Sequence, residues 1–377
     1  MILIEPPTEN RRTGGYRINA AICHEVPEIA RLRLAPGALT PRALTPRRVS
    51  RAGPATRDIV FVDSLYLRHS VAMGALRRLR RRGARLVLLA HLLPSQEQPG
   101  RFRRHAEERE GEDRALSAFD GALVPSRFMA RELWRRGFAP ARLALLRPAE
   151  AMARPGSSVR ATDPAGVSRP GDPDSPLLLS IANLSPVKHL HSILPALAEL
   201  QDVPWRWEII GSRRSDPGYV RRFRRLAGMY GLGRRVRLRG PRRPEELASR
   251  IAGARAVLVP SRFESFGLVA RQSLLAGTAV LASRVGGLPE ALALEEEGRP
   301  GGSRATRSRR PAPRRPPLWL PAPGDRAAWT AALRELLCTE APGGNASPEL
   351  AGAPPLRAES PAAAVRRIIA ALREEEP

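Results

Sequence analysis

Short apolar runs separated by polar stretches of helical period recur along this chain. Residues 2–4, 57–63, 84–90 and 119–125 are near-continuous Val/Ile/Leu/Ala segments, as in Asp58-Ile-Val-Phe-Val-Asp63. Runs of this length suit parallel strands buried on both faces. Between them, 70–82 and 126–136 carry apolar residues at helical spacing. The pattern resumes with strands predicted at 177–182, 207–211, 236–239, 256–260 and 279–283. Helices are predicted at 186–200, 219–230, 244–254 and 267–276. Pro195 falls inside the first of these and should kink it. Strands alternating with helices predict an α/β fold built on parallel sheets.

Composition shifts divide the pattern. Residues 151–175 are rich in Pro, Gly, Ser and Asp and read as a linker. Residues 35–55 are rich in Pro and Arg. Residues 295–317 run from Glu-Glu-Gly-Arg to Arg-Arg-Pro-Pro, and both stretches read as structureless surface segments. The expected organisation is a first α/β domain over 1–150, the linker at 151–175 and a second α/β domain over 176–340. A Pro/Ala-rich tail over 341–377 ends in one helix at 361–373. A chain of 377 residues is long enough for two cores.

The net charge is +26, and residues 1–150 carry 28 Arg against 15 Asp and Glu, so the excess is spread over the chain. Such a charge attracts nucleic acid or an anionic membrane surface. Aromatic residues are only 5%, however, which leaves few platforms for stacking bases. Arginine, alanine and proline are enriched together in loops and helices alike, a pattern that fits codon bias. Cys23 and Cys338 have no metal or disulfide spacing, which fits a reducing compartment. The first residues are too short and too acidic for a signal peptide, and no apolar window reaches the ~18 residues of a spanning helix. The expected location is cytoplasmic, in solution or peripheral on the inner face of a membrane.

Of 63 basic residues, 62 are arginine and one is lysine, Lys188. Lysine is a compact point charge, whereas arginine is a planar fork. Lys188 follows a predicted strand in Ala182-Asn-Leu-Ser-Pro-Val-Lys188, where Ser185 is placed to cap a helix and Pro186 to start it. Ligands in open α/β sheets sit beyond the carboxyl ends of strands. Anions are favoured at helix N-termini. A second constellation is Pro260-Ser-Arg-Phe-Glu264-Ser-Phe-Gly267-Leu-Val. It joins a carboxylate, Glu264, to a glycine-led helix start whose Gly267, Leu268 and Val269 amides face outward. Gln272 lies eight residues beyond Glu264. A hydroxyl-binding carboxylate, a phosphate cradle and an amide are what a nucleoside-diphosphate sugar requires.

In order and spacing these segments, with Val236-Arg-Leu-Arg-Gly240, Ala276-Gly-Thr-Ala-Val-Leu-Ala-Ser283 and Val285-Gly-Gly-Leu-Pro-Glu290, resemble the nucleotide-sugar half of family 4 glycosyltransferases. Thr13-Gly-Gly-Tyr-Arg-Ile-Asn19, Asp58–Asp63, His91 after a strand and Phe119–Phe128 match the other half. The resemblance covers residues 1–340 apart from the low-complexity stretches. It implies a GT-B fold, with two Rossmann-like parallel-sheet domains facing across a cleft. It further implies a metal-independent hexosyltransferase that moves sugar from an NDP-sugar, with retention, to a lipid, glycan or small-molecule acceptor. No cofactor is expected beyond the NDP-sugar co-substrate, no metal and no specific nucleic-acid partner.

By the same resemblance, Lys188 neutralises the donor diphosphate and the Gly267–Val269 amides, with Phe266 beside them, cradle the distal phosphate. Glu264 holds sugar hydroxyls and Gln272 holds the ribose. Gly14 and Gly15 let the first loop approach the phosphates, and His91 reaches the sugar. Taken alone, His91 reads equally as a packed strand-end residue. Three positions depart from the family pattern. Asn183 stands where a basic residue is usual, Gln272 where a second Glu is usual, and His189 where a Gly follows the Lys. Asn183 and Gln272 motivate a rival reading, a catalytically impaired scaffold of the same fold. The charge alone motivates a basic nucleic-acid binder, which explains none of the motifs.

Overall fold

The computed structural model describes residues 1–7, 14–39, 59–97, 106–146, 175–293, 318–319, 321–338 and 358–374. The chain forms two compact units, Met1–Gly156 with Ala351–Pro377, and Ser157–Leu350. Of the segments expected at 151–175 and 295–317, only Ser175 is among the described residues. Of the stretch at 35–55 only residues 35–39 are described, and there the structureless reading is corrected, since Pro36–Ala38 form a 3-10 turn and Leu39 is buried.

In the first unit, strands β1 (Ile2–Glu5), β2 (Ala30–Arg33), β3 (Ile59–Asp63), β4 (Arg85–Leu89), β5 (Gly121–Val124), β6 (Leu143–Leu146) and β13 (Ala358–Glu359) form one sheet. Their order is β13-β6-β5-β4-β3-β1-β2, and each neighbouring pair is parallel. β1, β3, β5 and β6 are buried at every position, as continuous apolar runs require when helices cover both faces. The predicted helices at 70–82 and 126–136 are Ser70–Arg81 and Arg127–Trp134. The second begins where Ser126 accepts a capping bond from the Met129 amide.

The C-terminal tail does not stand apart. It supplies β13 to the first sheet, and the helix Pro361–Arg373 follows a Ser360 cap. That helix buries Ala364, Val365, Ile368 and Leu372 against the first unit, a stripe at helical spacing. Ile368 occupies the space a side chain at Gly121 would need. The helix expected at 361–373 is therefore present with those bounds, and it packs on the first unit.

In the second unit, β7 (Leu177–Ile181), β8 (Arg206–Ile210), β9 (Val236–Arg239), β10 (Ala256–Val259), β11 (Ala279–Ala282) and β12 (Leu318–Trp319) lie in the order β12-β11-β10-β7-β8-β9, again parallel. Successive residues feed two cores, as a pleat of period two dictates. Leu178, Ala256, Leu258, Ala279 and Leu281 point to a face packed with Trp205, Trp207, Phe223 and Trp329. Leu179, Val257, Val259, Val280 and Ala282 point to a face packed with Ile210, Ala270 and Leu288.

The helix predicted over 186–200 is broken. Pro186–Lys188 and Leu190–Ile193 are separate 3-10 turns, and only Leu194–Ala198 is α-helical. His189 between the turns has φ of 51°, the left-handed region. Pro195 lies in the first turn of the short α-helix and does not kink a longer one. No described helix is long and apolar enough to cross a membrane.

Candidate functional site

The carboxyl ends of β7, β10 and β11 in the second unit hold the sequence-predicted residues. β7 pairs with β10, and β10 with β11, so the loops that follow them are neighbours. The Arg262 amide donates to the Val187 carbonyl at 2.8 Å and ties the first two loops together. Lys188 Nζ then reaches Glu264 Oε1 at 2.6 Å. Ser261 Oγ donates to the same oxygen at 2.8 Å. The side chains are 28% and 15% exposed, so the pair is lodged in the surface yet open to a ligand.

The third loop locks this arrangement. The Gly287 amide donates to the Glu264 carbonyl at 2.8 Å. A side chain at Gly286 would overlap the Glu264 carbonyl, and one at Gly287 the Ser265 carbonyl and Phe266. Two glycines are therefore needed for the loop after β11 to lie against the Glu264 backbone. Gly286 also has φ of 55°. Ser261, Gly286 and Gly287 were given no role from sequence, although the glycine pair after a predicted strand was the signal for it.

Gly267 has φ of 97° and caps the helix Leu268–Leu275, and Leu288 fills the space beside it. Arg271 is the residue whose amide bonds back to the Gly267 carbonyl, at 3.0 Å. The Leu268, Val269 and Ala270 amides before it lack intrahelical partners, which is the usual state of a helix N-terminus and favours an anion there. Phe266 is buried, so its side chain supports the loop from inside. Gln272 lies one turn further into the helix, on a partly exposed position.

Two expectations near Lys188 change. Ser185 makes no side-chain cap, and its carbonyl accepts from the Lys188 amide at 3.1 Å. Lys188 also begins no long helix, so the N-terminal dipole expected there is offered instead by Leu268–Leu275. Asn183 Oδ1 accepts from the Ser212 amide at 3.0 Å, and the Leu184 amide donates to the Ser212 carbonyl at 3.0 Å. The asparagine thus staples the loops after β7 and β8. Glu290, at the end of the segment from Val285, is buried in the helix Leu288–Ala293.

Beside the pair, His189 and His191 meet edge to face with ring centres 4.7 Å apart. His191 Nδ1 lies 3.1 Å from the Tyr219 hydroxyl. Burial, then His191, Arg262 and Arg222, pushes the His189 imidazole down to about 4. Burial and the same two arginines lower His191. Both rings are neutral near pH 7.

In the first unit, Gly14 and Gly15 open the helix Gly14–Glu25, and the loop before them lies outside the described residues. Gly15 lies against the His91 ring. A Cβ there would come within 3.0 Å of His91 Cδ2. His91 Nε2 lies 2.7 Å from Asn19 Oδ1 and 3.9 Å from Asp63 Oδ2. Asn19 Nδ2 donates to Glu5 Oε2 at 3.2 Å and to Asp63 Oδ2 at 3.0 Å. Burial lowers His91 against the opposing pull of Asp63 and Glu5. Asn19, Glu5 and Asp63 were not singled out as site residues from sequence.

Residues 168–300 match the model of the family Glycosyl transferases group 1. The chain is 38% identical over 122 residues to D-inositol 3-phosphate glycosyltransferase of Corynebacterium efficiens, covering 31% of this chain and 29% of that one. The chain thus spans less than a third of that relative's length. Among solved structures, sucrose-phosphate synthase from Thermosynechococcus elongatus is similar with a TM-score of 0.62, 20% identity and 89% of each chain covered. Anabaena HepE in complex with UDP-glucose is similar with a TM-score of 0.60, 16% identity, and 99% of this chain and 97% of that one covered. The fold is that of GT-B glycosyltransferases, with two α/β units of parallel strands.

Proposed function

We propose that this protein is a hexosyltransferase that takes its sugar from a nucleoside-diphosphate sugar, with retention and without a metal ion. The observation that carries the reading is the Lys188–Glu264 contact of 2.6 Å beside the N-terminus of the helix Leu268–Leu275. A diphosphate needs concentrated positive potential, and an ammonium group with helix amides supplies it without a divalent ion. A hexose needs acceptors for its hydroxyls, and Glu264 supplies a charged one. In this reading Gln272 bonds the ribose. Departure of the diphosphate leaves positive charge at the anomeric carbon, and the leaving phosphate oxygen takes the acceptor's proton as the acceptor oxygen attacks the same face. The resemblance gives His91 a contact with the sugar in this reading. The match to group 1 glycosyl transferases over residues 168–300 supports the assignment.

The test is a hydrolysis and transfer screen over UDP-, GDP-, ADP- and TDP-sugars with the full chain, with and without chelator. Because HepE was solved with UDP-glucose, uridine donors come first. Turnover that persists in chelator and is lost in Lys188→Ala supports the reading. A second reading, a scaffold without transferase activity, is favoured by Asn183, whose oxygen is committed to the Ser212 amide. Absence of binding to every NDP-sugar would select it.

A further inference from the structure

Asn19 sits among three groups that come from three different strands or their ends. Glu5 closes β1, Asp63 closes β3, and His91 lies two residues beyond β4. Glu5, Asn19 and Asp63 are almost wholly buried. Arg31 and Arg33 of β2 both bond Glu5 Oε1, at 2.6 and 3.1 Å. Asp63 Oδ1 accepts from the Leu65 amide at 2.9 Å.

Ionised carboxylates only accept hydrogen bonds, and an amide NH2 has two to give. Asn19 Nδ2 gives one to Glu5 and one to Asp63. Turning the amide over would aim its oxygen at two carboxylates, so its neighbours fix its orientation. The oxygen therefore faces His91 Nε2 at 2.7 Å. A carbonyl oxygen has no proton to offer, so Nε2 must carry one. In a neutral ring the lone pair is then on Nδ1, for which no described residue is a partner. Gly15, against the other side of the ring, leaves it room in this pose.

We propose that Asn19 is a positioning residue that holds His91 in the Nε2–H tautomer and presents its Nδ1 as a hydrogen-bond acceptor to a hydroxyl of the transferred sugar or acceptor. The inference rests on His91 facing the sugar, as in the function proposed for the chain. The groups that face the ring are the Glu5 and Asp63 carboxylates. Behind them stand Arg31, Arg33, Tyr66 and Cys23. Burial first, then the Asp63 and Glu5 carboxylates, raises Tyr66, and burial pushes the Cys23 thiol up to about 11, so both are neutral near pH 7.

The experiment is long-range nitrogen–proton NMR of the full 15N-labelled chain, with the His91 signals assigned by their loss in His91→Gln. The expected spectrum shows a single tautomer with the proton on Nε2 from pH 6 to 8. A proton on Nδ1, or the averaged signals of a solvent-exposed ring, would overturn the proposal. This measurement needs no substrate, so it separates failure of the positioning role from failure of the transferase assignment, which donor binding reads. Asn19→Asp is the second arm. It keeps an acceptor for His91 but sets a third carboxyl beside Glu5 and Asp63, which draws a second proton onto the ring. The expected result is His91 protonated at pH 7, kcat down by tenfold or more, donor KM within threefold, and the acid limb of the kcat profile moved to higher pH. An unchanged kcat with a neutral ring would overturn the role. Should Asn19→Asp not fold, the wild-type tautomer alone decides.

Discussion

The Lys188–Glu264 pair makes opposite demands on two variants. In the free protein the ammonium is held by the carboxylate at 2.6 Å, with Ser261 on the same oxygen. In the proposed function an arriving diphosphate draws Lys188 toward itself, and the carboxylate left behind turns to the sugar. Lys188→Met removes the cation and keeps the length of the stem. A hydrogen bond to a charged group contributes about 1.5–3 kcal/mol, which corresponds to about 10- to 150-fold in affinity. Binding of the nucleoside diphosphate alone, measured by titration calorimetry, should weaken by that factor. Lys188→Arg should not restore it, because a planar fork does not fit where a point charge sat against a single oxygen.

Glu264→Gln keeps the shape and still accepts from Ser261, but it removes the charge that competes for Lys188. The diphosphate alone should therefore bind as tightly as to the wild type, or up to about tenfold tighter, while sugar transfer falls by about 10- to 150-fold. The contrast between the variants is the decisive quantity. If Glu264→Gln weakened the diphosphate as much as Lys188→Met does, with both variants folded by circular dichroism, the division of labour between cation and carboxylate would be wrong.

Three further outcomes follow from the geometry. Gly287→Ala places a methyl group into the Ser265 carbonyl and Phe266. It should lower stability by about 1–3 kcal/mol and displace the Glu264 backbone. Transfer should then fall by about 100-fold, since a shift near 1 Å suffices for that, and wild-type turnover would refute the interlock. Acid should destabilise the second unit, because His189 is held neutral down to about 4 while an unfolded chain binds the proton below 6.5. Stability is full above pH 6.5 and falls toward pH 4, by on the order of 3 kcal/mol for His189 at the limit. Urea midpoints followed by Trp205, Trp207 and Trp329 fluorescence should show this slope, and a slope unchanged in His189→Gln would exclude the assignment. Asn183→Ala loses the staple to Ser212 and should reduce stability by about 1 kcal/mol, with diphosphate affinity within threefold. A tenfold loss of affinity at unchanged stability would make Asn183 a ligand after all.

Much of this fold was legible because buried parallel strands leave an unbroken apolar trace. β9 falls on its predicted residues, and β3, β4, β7, β10 and β11 each lie within their predicted ranges. β2 left no such trace, since Ala30–Arg33 is an edge strand with a mostly exposed face and alternates arginine with apolar residues. The break at His189 was hidden for a different reason. Residues 186–200 have a helical pattern, and a left-handed residue is a backbone event that composition reveals only when it is glycine. At the site, Lys188 and Glu264 were legible as lone chemistry beside turns. Asn19 was not, because its partners stand 14, 44 and 72 residues away and only the sheet order brings them together. The return of the C-terminal helix to the first sheet was equally out of reach of local pattern.

The overall charge cannot be what selects a donor. A chain with 62 arginines attracts every polyanion, and that attraction is screened beyond about 8 Å at physiological salt. Lys188 differs by position and not by charge. Its loop is bonded to the Glu264 loop through Arg262, the Glu264 loop is locked by two glycines, and the ammonium is already aimed before a ligand arrives. The left-handed backbone at His189 costs about 1–2 kcal/mol for a residue with a side chain. It ends the turn immediately after Lys188 and so keeps this ammonium from being carried off along a helix. Strain held beside a preorganised cation is the pattern expected where a fold is built around a ligand. Departures from the family pattern at positions 183 and 189 thus change how the loop is braced while the cation and its carboxylate partner stay together.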